Sequence, residues 1–424
     1  MLSGGRTAHS RFHIPIDINE TSTCTIHRGT NLSQLISKTS LILWDEAPMT
    51  HRFCFEALDR TLRDILSVEE ATNSQKPFGG MNILLGGDFR QVLPVVNHGN
   101  ATDAINASLI SSSLWQHFTV FKLTINMRLR NPHLNDSEKQ KIAQFAKWVL
   151  DIGEGKYPAY DDNNDTDEKW IQIPSQLLLQ PMANNIEAIT DVIYHDFSTN
   201  FTCINYLAER AVICPLNTTV DVINDTMLEK VPGDSKIYLS YDSIVNSIEQ
   251  PDDFPILYPP EFLNSITLNN FSQHRLALKI NVPVVLLRNI DQSIGLCNGT
   301  RLLIVKLGDY VIEGKIITGS HIGEHVCIPR VVLHGTSPKW PFTLARCQFP
   351  IKVCYALTIN KCQGQTLQKV GIYLKGHVFS HGQLYVAVSR VTSQEGLKIL
   401  IENEDGTSGT ATKNIVYRKI LEHL

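Results

Sequence analysis

Two short apolar runs, each closing on an acid, constrain this chain more than any other feature. Leu41-Ile-Leu-Trp is followed at once by Asp45-Glu46, and Met81-Asn-Ile-Leu-Leu is followed by Gly86-Gly-Asp-Phe. Runs of this length and composition read as buried strands whose C-terminal ends deliver carboxylates. Between them, Phe53, Ala57, Leu58, Leu62, Ile65 and Leu66 fall at helical spacing, predicting a helix over 53–66. Strand, helix, strand implies a parallel sheet with helical crossovers, and hence an α/β fold.

The rest of the chain extends the pattern. A helix is expected over 136–150, and an Asp/Asn/Gly-rich surface loop over 151–169. Arg210-Ala-Val-Ile-Cys opens a second strand set, with a helix starting near Thr218. Residues 240–262 are rich in Pro and Asp and read as irregular. Val282-Pro-Val-Val-Leu-Leu predicts another strand. From Gly299 to Leu344, β-rich stretches alternate with glycines, the texture of a small antiparallel barrel. Residues 353–356 and 370–374 return to α/β texture, so the barrel reads as an insertion. A length of 424 residues accommodates two to four domains.

Composition excludes less. With 38 Lys+Arg against 42 Asp+Glu, the net charge of -4 excludes a basic, histone-like polymer. A basic channel on a weakly acidic body is still compatible with nucleic acid. The nine cysteines are scattered, and none has zinc-knuckle spacing, so free thiols are expected. No run of eighteen apolar residues is present, and no membrane partner is expected.

Several groups could carry chemistry. Asp45 and Glu46 at a strand end suit a metal-binding acid and a base that polarises water. Gln91, three residues after Asp88, has an amide that can hold a phosphate oxygen or a hydrolytic water. Arg128 and Arg390 are planar cations suited to a triphosphate. Lys361, Gly364, Gln365 and Thr366 form a polar loop able to hold a phosphate backbone without reading bases. Thr7, His9 and Ser10 have similar character, with Phe12 available for stacking.

In order, the strings GGRTAHSRF (4–12), LILWDEAPM (41–49), GGDFRQVLPV (86–95), LTINMRL (123–129), RCQFPIKVCYALTINKCQGQTL (346–367) and GQLYVAVSRV (382–391) resemble the Pif1-like family of superfamily 1 ATP-dependent DNA helicases, in its plant or Helitron-type branch. The resemblance implies ATP and Mg²⁺ as cofactors. It implies that Asp45 binds the metal, that Glu46 is the catalytic base, and that Gln91, Arg128 and Arg390 contact phosphates. It further implies that Gly364, Gln365 and Thr366 couple nucleotide to DNA, Lys361 belonging to the same DNA-contacting loop, and that Thr7, His9 and Ser10 touch single-stranded DNA.

The implied architecture is two RecA-like P-loop-hydrolase motor domains, with a small SH3-like β-barrel inserted in the second. The expected boundaries are 1–150 for the first motor domain and 151–195 for an acidic loop and linker. The second motor domain would occupy 196–298 and 346–410, with the barrel at 299–345 and a C-terminal tail at 411–424. Single-stranded or forked DNA is the expected partner, a monomer the expected state, and the nucleus, or the mitochondrion, the expected location. Family members move 5′→3′ and act in repair, recombination and telomere maintenance.

The family's GxxGTGK[ST] phosphate loop should precede Thr7. Gly155-Lys156 is followed by Tyr and Gly314-Lys315 by Ile, so no internal segment replaces it. The first motor domain is therefore expected to be N-terminally truncated, with an apolar sheet flank exposed and weak or absent hydrolysis. The alternative reading is a non-catalytic relic that at most binds single-stranded DNA. Asn281 departs from the family by standing where a glycine is usual.

Overall fold

A computed structural model describes residues 5–96, 99–160, 167–180, 182–245, 257–268, 270–337, 340–403 and 405–424. Part of the predicted acidic loop, 161–166, therefore lies outside the described residues. The chain divides into two compact units. The first holds the chain up to Gln176 together with His377–Gln394 and Gly409–Leu424; the second holds Leu177–Gly376 and Glu395–Ser408. These limits differ from the expected domain boundaries chiefly because the chain returns to the first unit after Gly376.

In the first unit, the strands Leu41–Trp44 and Asn82–Leu85 pair in parallel, with Trp44 opposite Leu85. The helix Arg52–Leu66 connects them, starting one residue before the predicted start. His51 caps it, its Nδ1 accepting from the Phe53 amide at 3.1 Å. Phe55, Leu58, Leu62 and Ile65 face inward at helical spacing, and Phe55 lies 4.4 Å from Trp44 between ring centres. Each fully buried side chain of this size contributes about 1.5–3 kcal/mol of transfer free energy.

The opposite side of this sheet is uncovered among the described residues. Leu41, Leu43 and Leu84 are about half exposed. The run Phe121-Lys-Leu and its neighbours at 119–126 join no ladder; Phe121 is 83% and Leu123 100% exposed. A strand is stable only against a partner, and no described strand pairs with this run. The helix Asp136–Gly153 follows, opened by a reciprocal capping box between Asn135 and Glu138. Residues 411–424 are not a free tail. Ala411–Ile415 pairs antiparallel with Glu168–Gln172, and Ile415, Tyr417 and Ile420 pack with Leu93.

The second unit contains an all-parallel four-stranded sheet, ordered Ala356–Thr358, Arg210–Cys214, Lys369–Leu374, Leu397–Ile401. The helix Asn185–Ile193 packs so closely on it that a Cβ at Gly371 would lie 2.7 Å from Ile193. The helix Asn217–Lys230 is fastened by Asn224, whose Oδ1 accepts from the Tyr355 and Ala356 amides, both at 2.8 Å.

The strands at 299–345 do not close on one another as a separate barrel. Arg301–Leu307, Val311–Ile316 and His325–Pro329 join Pro283–Leu286 and Ile351–Val353 in a five-stranded sheet. Thr343–Gln348 instead pairs with Val331–Gly335 on one side and Tyr241–Val245 on the other, in a three-stranded one. That last strand, and the helix Pro260–Ser265, arise from the stretch read as irregular. Buried Arg301 holds the second unit together internally, donating to the Leu207 and Cys354 carbonyls at 3.0 and 3.1 Å.

Candidate active site

The turn after Trp44 is tight. Glu46 adopts left-handed backbone (φ 54°), and its amide donates to Asp45 Oδ1 at 3.0 Å. The Ala47 amide then donates to the Gly86 carbonyl at 2.9 Å, tying the two acidic strand ends together. The second strand end must approach closely. A Cβ on Gly87 would sit 2.2 Å from Pro48 Cδ, which only glycine avoids.

Glu46 is half-buried, and burial is the largest cause of its raised pKa. The neighbouring Asp45 charge, and more weakly Asp88, add to the rise, while Arg390 opposes it. A carboxylate raised in this way is a better proton acceptor than a free surface acid. Asp45 is exposed, a hard oxygen donor at the strand end of the kind a divalent cation takes.

The next loop carries Asp88, Phe89, Arg90 and Gln91. The Gln91 amide closes a turn on the Asp88 carbonyl at 3.1 Å. Arg90 is braced by Asp88 (Nη1 to Oδ1, 3.2 Å) and by Glu154 (Nη2 to Oε1, 2.7 Å). Arg390 follows the short helix Gln383–Val388 and is buried. Its Nε donates to the Val386 carbonyl and its Nη2 to Ser389 Oγ, both at 2.8 Å. Asp45, Glu46, Gln91 and Arg390 thus belong to one unit, and the fields of Glu46 and Arg390 are felt at each other.

Arg128 lies in the same unit but is exposed, in the turn Met127–Arg130 capped by Asn126. It lines a cavity of about 410 Å³ together with Lys147, Tyr385 and Ser389. Thr7 is exposed at the start of the helix Ala8–Phe12. Ser10 is partly buried, and the His9 ring turns toward Cys54, with Nε2 3.9 Å from Sγ. Desolvation on that side lowers the His9 pKa.

Lys361, Gly364, Gln365 and Thr366 lie in the second unit. Lys361 lies in a 3-10 turn, Ile359–Cys362, and Gly364 takes the left-handed conformation (φ 74°) that lets the loop reverse. Burial, and then Lys352, lower the Lys361 pKa. Gly364 and Thr366 are exposed.

Two residues not singled out from the sequence, Tyr385 and His381, stand beside this site. Asp88 accepts the Tyr385 hydroxyl at 2.7 Å, and His381 donates from Nε2 to the Phe89 carbonyl at 2.8 Å. Their only sequence signal is membership of HGQLYVAVSR, where the arginine draws attention first. None of the nine cysteines forms a disulfide. Among the described residues there is no metal-binding His/Cys/Asp/Glu cluster, and no helix is long and apolar enough to cross a membrane.

Comparison with known proteins shows what the chain resembles. Residues 1–163 match the profile of the PIF1-like helicases, and residues 261–307 that of the 2B domain of the DNA helicase Pif1. The chain is 26% identical over 365 residues to the ATP-dependent DNA helicase PIF1 of Xenopus laevis, covering 85% of this chain and 46% of that protein. It is 25% identical over 362 residues to the human PIF1 helicase, covering 84% and 45%. The chain thus spans about half the length of the curated relatives it matches. Its fold is similar to that of a Bacteroides Pif1 bound to single-stranded DNA (TM-score 0.61, 22% identity, 94% of this chain and 79% of that one). It is also similar to that of Candida albicans Pif1 (TM-score 0.58, 20% identity, 99% and 84%).

Proposed function

We propose that the chain is a Pif1-like DNA helicase of superfamily 1, and that it serves an ATP-dependent helicase that translocates 5′→3′ on single-stranded or forked DNA. The observation that carries this reading is the grouping of Asp45, Glu46, the Gln91 loop and Arg390 in one unit, with the Glu46 pKa raised by burial and by Asp45 against the opposing Arg390.

In this reading Glu46 orients the attacking water and takes its proton. Bound Mg²⁺, held by Asp45, would neutralise phosphate charge. Gln91 holds a γ-phosphate oxygen or the water, and Arg390 and Arg128 place fixed positive charge against the phosphates. In the second unit, Gly364, Gln365 and Thr366 with Lys361 would follow the DNA backbone, as would Thr7, His9 and Ser10 in the first. RecA-like motor domains, membership of the plant or Helitron-type branch, a monomeric state, a nuclear or mitochondrial location, and roles in repair, recombination and telomere maintenance complete the proposal.

A second reading has its own support: no Gly-Lys-Ser/Thr string occurs anywhere in these 424 residues. Arginines do not replace a nest of backbone amides around a triphosphate. These residues alone would then bind single-stranded DNA without turning over ATP. DNA-stimulated ATPase of the purified chain, beside Glu46→Gln, separates the two. Turnover that needs DNA and vanishes in the variant supports the motor. A folded chain with no turnover above the variant leaves the DNA-binding reading.

A further inference from the structure

We propose that His381 and Tyr385 are positioning residues, which clasp the Gln91 loop to the short helix that carries Arg390. The proposal rests on the reading of Gln91 and Arg390 as phosphate-contacting groups.

Three contacts converge on 88–91 from one stretch of ten residues. Tyr385 donates its hydroxyl to Asp88 Oδ2 at 2.7 Å. His381 Nε2 donates to the Phe89 carbonyl at 2.8 Å. Gly382, at φ 71°, lies so close that a Cβ there would stand 2.3 Å from the Arg90 carbonyl oxygen and 2.6 Å from the Gln91 carbonyl carbon. The partners are some 290 residues apart in sequence, so this contact is made only in the folded unit.

Each clasping group is itself held. A carbonyl can only accept, so His381 carries its proton on Nε2; its Nδ1 then accepts from the Tyr417 amide at 2.8 Å. The ring is fully buried and stacks on Tyr417 at 5.1 Å. The Tyr385 ring fits against Gly153, where a Cβ would stand 2.5 Å from Cδ2. Asp88, the acceptor of the tyrosine, also braces Arg90 through its amide and guanidinium.

The geometry gives these contacts a function beyond stability. The helix Gln383–Val388 has the clasp at its start, and Arg390, tied back to Val386, just past its end. Displacement of the Gln91 loop is therefore transmitted to Arg390 through less than two turns of helix. A γ-phosphate held between an amide and a guanidinium tolerates little misplacement, because a shift of about 1 Å costs on the order of 10²-fold in rate. Tyr385 and His381 set that distance without touching the nucleotide.

The test uses the full chain with Tyr385→Phe, which deletes one oxygen, and His381→Ala. Hydrogen–deuterium exchange should rise about tenfold in peptides covering 86–95 in both variants, and stay unchanged over the helix Arg52–Leu66. DNA-stimulated turnover should lose about tenfold in kcat, with KM for ATP within twofold. Unchanged exchange at 86–95 overturns the clasp. Faster exchange with unaltered kcat overturns its positioning role. If the wild-type chain shows no turnover, the functional reading fails on its own, and the exchange result alone decides the clasp. Should His381→Ala not fold, Tyr385→Phe carries the test.

Discussion

Arg346 and Asp242 form a two-pronged ion pair, Nη2 to Oδ2 at 2.6 Å and Nε to Oδ1 at 2.9 Å, with both side chains withdrawn from water. The remaining guanidinium hydrogens are also used, on the carbonyls of Leu263, Ile266 and Ser272. One side chain thus joins the strand Thr343–Gln348, the strand Tyr241–Val245 and the helix Pro260–Ser265. Burying two charges is expensive, and removing one partner strands the other. Arg346→Ala is expected to cost about 3–5 kcal/mol, and Asp242→Ala a similar amount. Chemical denaturation of each variant and of the double replacement checks this. The double variant should cost less than the two singles added together, since it leaves no unpaired charge.

The raised pKa of Glu46 makes a prediction about rate. In the role proposed for Glu46 the base must be unprotonated, so turnover should fall as pH drops through the Glu46 pKa, at a higher pH than for an ordinary glutamate. Arg390 lowers that pKa. Arg390→Gln should therefore move the acid limb of the kcat profile to higher pH as well as lowering its plateau. An acid limb that stays in place would show that another group governs it. Stability moves the other way: a carboxyl that is harder to ionise when folded costs stability as pH rises past its unfolded pKa. Glu46→Gln should accordingly raise the melting temperature at neutral pH while abolishing turnover.

His381 has the opposite linkage. Burial lowers its pKa below the ordinary 6.5, and its Nδ1 is committed as an acceptor. Protonation would expel the Tyr417 amide from that nitrogen. Because the unfolded chain takes the proton first, the stability contributed by neutral His381 is present above pH 6.5 and is lost as pH falls below it. Urea melts at pH 7.5 and pH 5.5 should show a smaller difference for His381→Gln than for the wild type.

How much of this was legible in the sequence depends on how local each signal is. The strands ending at Trp44 and Leu85 and the helix Arg52–Leu66 are written in periodicity and end chemistry, and they stand within a residue or two of where periodicity puts them. The pairing of Thr343–Gln348 with Tyr241–Val245 is not local, because a strand's partner is chosen by the surrounding fold. A Pro- and Asp-rich neighbourhood also hid the second strand. The run at 119–126 shows the converse: strand-like composition without a described partner yields no strand. The acids and Arg390 were legible as charged groups beside apolar runs. Tyr385 and His381 were not, since an aromatic in an apolar helix reads as core until its hydroxyl is seen on Asp88.

Gly382 tests how tightly the loop is seated. Any side chain there meets the Arg90 carbonyl oxygen, which is backbone and cannot swing aside, and must also adopt φ 71°. Gly382→Ala is expected to destabilise the first unit by about 2–4 kcal/mol, combining overpacking with left-handed strain. Its melting temperature should fall well below that of Gly233→Ala, a control with left-handed φ but open space around the added carbon.

Asn281 supplies the final prediction, and it runs toward greater stability. Its backbone is left-handed (φ 67°), the region that favours glycine. Asparagine tolerates that region better than other side-chain-bearing residues but still not as freely as glycine. Its amide donates to the Ile304 carbonyl at 2.8 Å, just before the strand Pro283–Leu286, so the conformation is fixed by the sheet. Asn281→Gly should relieve the strain, while the freer glycine gives back part of the gain through the unfolded chain. A net stabilisation of about 0.5 kcal/mol is expected, whereas Asn281→Val should lose about 1–2 kcal/mol. Equal melting curves for the glycine and valine variants would mean that the positive φ is not what governs this position.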